Sequence, residues 1–357
     1  MITIREAHID DNYALLQLTA ITPMNSPFVL RIDRKPNFFN LINERGSGKV
    51  FVALKEDKII GTASISVYDG YWSNTLHQIS YLADFKIDPN YQGKIVLWLL
   101  IRAIKAFVLK SNCNIIYFVV AAGNTKVEKM LKPRQNLPQF FPVTNFNIYQ
   151  LFPRIIKPLT PSSFTVVDLK KRKITELNLD RFFNAFNKEY NLAPVVTIDH
   201  LNETRVITAY RGDELLSAIS LKDMNYCKQN VVLSIPFIHR VLLALVGVLR
   251  LFIPSYPLPV LGETLRILYV KSYAFTPGNK YALKILLKWA RWESFKQGFH
   301  YLCFGIDEKD KKLYSLLKFM PKICFKSTAY CFGVSGESGF SPNDLNSSLF
   351  RQDISTI

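Results

Sequence analysis

Metal-ligand patterns, a disulfide framework and a secretory leader are what this sequence has least of. Its five histidines (His8, His77, His200, His239, His300) form no HxxxH or HExxH spacing, and no cysteine cluster offers metal ligands, so metal dependence is not expected. The five cysteines contain no CxxC pair, and their odd number argues against a full set of disulfides; a reducing, cytoplasmic setting fits. The opening residues MITIREAHIDD carry charges where a secretory signal needs an apolar run, so no targeting segment is expected. Acidic residues are also scarce, 28 against 45 basic ones, which leaves a formal charge of +17 and implies attraction to something anionic. The basic excess is spread over both halves of the chain. That argues against a dedicated nucleic-acid stripe, and the densest cluster, Lys170 to Lys173, reads as a solvated turn.

With 357 residues, 49% of them apolar, the chain should be globular and built of two domains. Self-comparison supports this. FVALKEDKIIGTASIS from Phe51 resembles ITAYRGDELLSAISLK from Ile207, and both predict hairpins. YLADFKIDP from Tyr81 resembles YVKSYAFTP from Tyr269 with its Tyr, aromatic and Pro in register. Each of these strands is followed by a helical run (Lys94 to Lys110, Tyr281 to Lys296) and another apolar strand, which predicts a parallel crossover. Late strands from Phe146 and Ser327 are expected to complete each copy. The reading is therefore two similar α/β domains with mixed sheets, 1–155 and 156–340, joined near the Pro-rich segment Pro153 to Ser163 and followed by a tail, 341–357.

The second copy carries an insertion near 236–260. Its apolar helix, bounded by Pro236 and Pro254, is too short and too charged for a membrane span; it reads as cover for a core or interface, or else as a helix lying on a membrane surface. In the first copy's helix, Ile95 to Ile101 are consecutively apolar and would point in every direction. Trp98 is accordingly expected at an interface with the other domain, the insertion or a second subunit.

Between Asp84 and Leu100 runs DFKIDPNYQGKIVLWLL, a strand closing on a Pro followed by a Gln-Gly-Lys turn and a helix. This stretch resembles the pyrophosphate loop of the GNAT (GCN5-related) acetyltransferase superfamily, and the double pattern resembles a tandem GNAT protein. In that family the loop reads Q/R-x-x-G-x-G/A, and its N–H groups and helix N-terminus hold the pyrophosphate of acetyl-CoA. Gln92 stands at the Q/R position and Gly93 and Lys94 are of the usual type, while Ile95 and Leu97 replace the family's small residues; Lys94 could compensate with charge. The resemblance implies that Phe85, Lys86 and Ile87 of the strand, Gln92, Gly93, Lys94, Ile95 and Val96 of the loop, and Asn124 after the next strand contact acetyl-CoA as cosubstrate. The second copy reads TPGNKYALKILL at the same place and lacks the pattern, with Lys284, Lys288 and Arg291 expected outside its helix.

Catalysis in the family is direct attack of an amine on the thioester, and the resemblance implies Asp84 as base, with a solvated or N–H-bonded strand-end Asp as the alternative. The family's acid Tyr falls here on Leu131, which cannot donate a proton, so Tyr81, Tyr117 or water must substitute; Tyr314 of the second copy is a further candidate or an interfacial residue. The function implied is an N-acetyltransferase acting on a small-molecule or peptide amine held between the domains, without stable membrane insertion. Two alternatives remain: a non-catalytic acyl-CoA-binding or interaction protein, suggested by the lost glycines, and an aminoacyl-tRNA-dependent transferase, suggested by the basic surface.

Overall fold

The computed structural model describes residues 1–22, 29–91, 94–111, 113, 115–131, 140–169, 171–234, 257–332 and 348–357. The first half contains β1 (Ile2–Glu6), α1 (Asn12–Ala20), β2 (Val29–Asp33), α2 (Asn40–Arg45), β3 (Ser47–Lys55), β4 (Lys58–Trp72), β5 (Thr75–Ile87), α3 (Lys94–Lys110), β6 (Ile115–Ala121), α4 (Thr125–Met130) and β7 (Phe141–Leu151). The second contains β8 (Thr165–Leu169), α5 (Lys171–Glu176), α6 (Leu179–Asn187), β9 (Ala193–Pro194), α7 (Ile198–Asn202), β10 (Arg205–Arg211), β11 (Glu214–Asp223), β12 (Gln229–Ser234), β13 (Thr264–Leu265), β14 (Ile267–Phe275), α8 (Lys280–Lys296), β15 (Tyr301–Asp307), α9 (Lys311–Leu316) and β16 (Lys322–Phe332).

Both expected hairpins form, β3 with β4 and β10 with β11. Both crossovers are parallel, β5 with β6 across α3 and β14 with β15 across α8. The two copies do not close separately, however. The main sheet runs β1-β3-β4-β5-β6-β16-β7-β15-β14-β11-β10-β8 without a break. Strand β16 is antiparallel to both β6 and β7 and so fills a slot between two strands of the first half. In return β7 lies between β16 and β15. The late strands thus exchange instead of completing their own copies. Exchange removes the edges that two separate sheets would expose at this point. A small second sheet, β13-β12-β2, also joins the halves, because β2 pairs with β12.

Helix α3 has no Gly or Pro, and Val96, Leu100, Ile104 and Val108 recur every four residues to pack on Ile65, Leu82 and Ile116 of the sheet. Each fully buried aliphatic of this kind contributes roughly 1.5–3 kcal/mol. Its outer face is exposed: Ile95 is 61% and Trp98 43% accessible, which corrects the expectation of a helix without a solvent face. The insertion expected as one possible cover, Pro236 to Pro254, lies outside the described residues. In α8, Leu283, Leu286, Leu287 and Ala290 form the buried stripe as expected. Arg291, expected outside, is buried with its Nε donating to the Phe152 carbonyl at 2.7 Å. The helix ends where Gly298 takes φ +69, letting the Phe299 N–H reach the Ser294 carbonyl and the Gly298 N–H the Phe295 carbonyl.

The chain's last described stretch is interior. Phe350, Arg351, Ile354, Ser355 and Thr356 are buried, and a short 3-10 turn spans Ile354–Thr356. Strands β14 and β15 pair only over Ile267–Tyr269 with Tyr301–Cys303 and then diverge. The C-terminal strap enters that gap. The Phe350 N–H donates to Asp307 Oδ2 at 2.7 Å, Arg351 donates to the Tyr273 carbonyl at 2.8 Å with its guanidinium 3.6 Å from the Tyr273 ring centroid, and Ile354 lies against Gly305.

Candidate active site

Strands β5 and β6 repeat the divergence in the first half. They pair over Ile79–Leu82 with Ile115–Phe118, after which β5 keeps only β4 as partner and β6 only β16, to which it is paired from Ile116 onward. The parting coincides with a β-bulge: Thr62 faces Lys86 and Ser64 faces Ala83, so Ala63 sits across from two residues, Asp84 and Phe85. Asp84 takes φ +56, a left-handed conformation that Asp tolerates better than most side chains. The bulge turns its carboxylate into the protein. There it meets the guanidinium of Arg34, Arg45 Nη1 at 2.9 Å and Ser64 Oγ at 2.7 Å, with the side chain 3% exposed. Burial alone would raise this carboxyl; the two guanidiniums and Ser64 override it and hold it far below the usual carboxylate range.

Arg34 follows β2, which pairs with β12, and Arg45 ends α2, which packs on β3 and β4, so the two arrive from different elements. Arg45 also donates Nε to the Thr356 carbonyl at 2.7 Å, tying the strap to this cluster, and its guanidinium lies 5.2 Å from the Tyr81 ring centroid. Tyr81 and Tyr117 are register partners one position before the strands part, their ring centroids 5.0 Å apart. Their side chains project to the face opposite α3, since Leu82 and Ile116 next to them pack under that helix. Tyr68 adds a third phenol, 3.0 Å from the Tyr117 hydroxyl and 3.0 Å from the Leu192 carbonyl. Burial holds the Tyr81 phenol above its ordinary value, against the pull of Arg45.

On this face a cavity of about 380 Å³ opens between the halves. Tyr68, Tyr81 and Tyr117 form its first-half wall; His200, Lys271 and Asp353 line the other side. Glu44 joins them from α2, accepting from Lys222 and Lys271 Nζ at 2.8 and 3.0 Å and from the Tyr226 hydroxyl. Burial would raise Glu44, but these partners bring its carboxyl down to about 2. Asp353 lies 3.8 Å from Lys271 and accepts from Ser355 Oγ at 2.6 Å. At the rim, His200 sits in the first turn of α7, capped by Thr197. Partial desolvation, then Lys271, holds its imidazole below the ordinary value.

The sequence-derived site residues fall in three groups. Asp84, Tyr81 and Phe85 to Ile87 come together where the strands part. Phe85 is exposed, Ile87 packs beside Val96, and Lys86 is half-buried with Nζ 3.4 Å from the Thr22 carbonyl, desolvation lowering its amine to about 8. Gln92 and Gly93 lie outside the described residues, and of Lys94 only the backbone at the start of α3 is described. Ile95 is exposed and Val96 buried against the sheet. Asn124 is an exposed N-cap of α4, its Oδ1 accepting from the Val127 N–H at 3.3 Å. Leu131 is that helix's C-cap, and Tyr314 is exposed on α9 near Tyr149. Arg34, Arg45, Glu44, His200 and Asp353 were not found in the sequence. The available signal was the matching pair of strand-helix-strand units; Arg34 in RIDRKPN and Arg45 in NERGSGK stand among polar residues, and nothing local marks them as buried.

Among the described residues, no group of His, Cys, Asp or Glu is placed to hold a metal ion. No described helix is long and apolar enough to cross a membrane.

A parallel pair that parts at a bulge, with a helix starting just beyond it, is the arrangement of the GNAT fold, and a second parallel pair that parts shares the sheet. The comparisons agree: residues 16–134 match the Acetyltransferase (GNAT) family. Saccharomyces cerevisiae N-myristoyltransferase with bound myristoyl-CoA superposes with a TM-score of 0.60 at 12% identity, covering 93% of this chain and 78% of that one. A probable N-acyltransferase of Enterococcus faecalis gives 0.54 at 8% identity, covering 95% and 74%, and a GCN5-related N-acetyltransferase from Anabaena variabilis gives 0.55 at 9%, also covering 95% and 74%. No curated protein matches in sequence. At these identities the structural likenesses establish the fold, which is that of the GNAT acyltransferases.

Proposed function

We propose that the protein transfers an acyl group from acyl-CoA to an amine, with the thioester arm in the gap between β5 and β6 and the amine in the cavity between the halves. The observation that carries this reading is the placement of Tyr81 and Tyr117: they lie one position before the paired part of β5 and β6 ends at Leu82 and Phe118, and they also form the cavity wall. An arm entering by the gap would therefore reach the cavity at these phenols. The residues fit such a cosubstrate. The gap offers strand edges of 83–87 and 119–121 that do not pair with each other, and the first-turn N–H groups of the 17-residue α3 have no intrahelical partner by geometry. The corresponding gap of the second half holds the strap, so we assign one cofactor site per chain, in the first half.

In the reaction, the neutral amine attacks the thioester carbonyl carbon, the C–N bond forms, the C–S bond breaks and CoA leaves as thiolate. His200, held neutral near pH 7, is suited to take the proton from the amine. Tyr81, whose phenol stays protonated, is suited to give one to the thiolate. Asp84 we assign to positioning: a carboxylate shared by two guanidiniums is a poor proton acceptor, and its place fixes the bulge that parts the strands. Acetyl is the donor group favoured by the family match, with longer acyl groups the alternative.

Calorimetry of the full chain with acetyl-CoA and longer acyl-CoAs, followed by thiol-release assays over a panel of primary amines, tests the proposal. One acyl-CoA per chain and amine-dependent CoA release are expected. Silence at millimolar ligand would remove it, and binding without release over the panel would favour a non-catalytic binding protein.

A further inference from the structure

We propose that the outer face of α3 docks on the surface of an anionic lipid bilayer. Ile95, Trp98, Arg102, Lys105 and Leu109 are all exposed and follow one another at intervals of three and four residues, so they share one stripe along the helix. The opposite stripe, Val96, Leu100, Ile104 and Val108, is locked in the core, so the helix cannot rotate to hide its outer residues. The charge on α3 has one sign: Lys94, Arg102, Lys105 and Lys110 with no carboxylate anywhere in the helix. Arg102 lies over the Trp98 ring at 5.5 Å. Just before the helix, Lys55 and Lys58 lie over Tyr91 at 5.3 and 5.5 Å.

Aromatic and aliphatic side chains between lysines and arginines on one exposed helical face are the composition that settles at the headgroup boundary, apolar groups among the acyl chains and cations at the phosphates. The complementary surface must be anionic and also able to accept bare Ile and Leu, which favours lipid over nucleic acid. From Ile95 to Leu109 the stripe extends about 21 Å at 1.5 Å per residue, too long for the phosphates of one small ligand. Docking would lay the helix flat rather than across the bilayer. It would also bring the N-terminal end of α3 to the membrane, where long acyl chains partition. The inference does not rest on the acyl-transfer reading.

The test is co-sedimentation of the full chain with phosphatidylcholine vesicles containing one-third phosphatidylglycerol, and with phosphatidylcholine alone, together with tryptophan emission. Binding to the anionic vesicles with a blue shift is expected. Arg102→Glu with Lys105→Glu should lower partitioning at least about tenfold, and Trp98→Ser should abolish most of the shift; should Trp98→Ser fail to fold, Ile95→Ser with Leu109→Ser replaces it, read by partitioning. The proposal is overturned if the wild-type chain ignores anionic vesicles, if these variants bind as well as wild type, or if the chain binds tRNA but not vesicles. Displacement from vesicles by millimolar CoA would also overturn it, by making the stripe a seat for cofactor phosphates.

Discussion

Replacing Asp84 by Asn separates the two roles this carboxylate could have. Asparagine keeps the shape and tolerates the left-handed backbone of the bulge, so the substitution removes charge and little else. What remains is a pair of buried guanidiniums, Arg34 and Arg45, facing each other without their shared counter-ion. Breaking a buried ion pair from one side costs about 3–5 kcal/mol, because the other charge is left uncompensated in a poorly solvating interior. That corresponds to a hundredfold or larger shift in the unfolding equilibrium. Urea unfolding, read as a fall in midpoint at constant slope, measures it. A second arm adds Arg34→Met to Asp84→Asn: removing one stranded charge should return part of the lost stability, a coupling that a simple loss of packing would not produce. An Asp84→Asn protein of wild-type stability whose turnover had collapsed would refute the argument and restore Asp84 as the base.

Tyr81→Phe should lower kcat by about 10²–10⁴ with acyl-CoA affinity nearly unchanged, as expected for a group acting on the leaving thiolate; unchanged kcat would pass the role to Tyr117 or water. His200→Ala should lower kcat and remove an acid limb lying below the ordinary histidine range, since the neutral imidazole is the active form and its titration is pushed down. Glu44, held at about 2 against an unfolded value near 4.5, contributes stability that is complete above the unfolded value and lost as pH falls through 2. Glu44→Gln should therefore flatten the acid side of the stability profile between about pH 5 and 2, and an unaltered profile would show that its lysine partners relax away. Gly305→Ala places a Cβ 2.0 Å from Ile354 Cγ1 and should cost about 1–3 kcal/mol; pairing it with Ile354→Ala should recover much of that, whereas purely additive losses would mean the strap is not seated there.

The sequence disclosed local architecture well and neighbour relations poorly. Alternating apolar positions marked the hairpins from Phe51 and Ile207, and the Tyr81 and Tyr269 strands with their helices gave both crossovers, because side-chain period reports which face is buried. It does not report which strand lies alongside, and so the pattern alone predicts that β7 and β16 close their own copies. Asp84 stood out as a carboxylate near the end of a strand, yet its partners lie 50 and 39 residues earlier, and no periodicity links them. Residues 350–356 carry too few apolar side chains to announce a core segment. They are buried through polar contacts, Arg351 with Tyr273 and Asn187 and Phe350 with Asp307, which become visible only once the second gap exists. For α3, a run of seven apolar residues suggested cover on all sides, whereas the sheet covers one stripe.

The exchange of β7 and β16 also imposes an order on the protein's birth. As the chain leaves the ribosome, β6 and β7 appear early, running in the same direction and one strand apart, with nothing to occupy the place between them. Their occupant, β16, is encoded near the other end of the message. At about 5–20 residues per second it follows by on the order of ten seconds or more. Throughout that interval the nascent first half carries the open edge of β6 and both edges of β7, which any passing extended segment could join. A chaperone, or a fast collapse of β1 to β5 around α3, must protect them until translation is nearly finished.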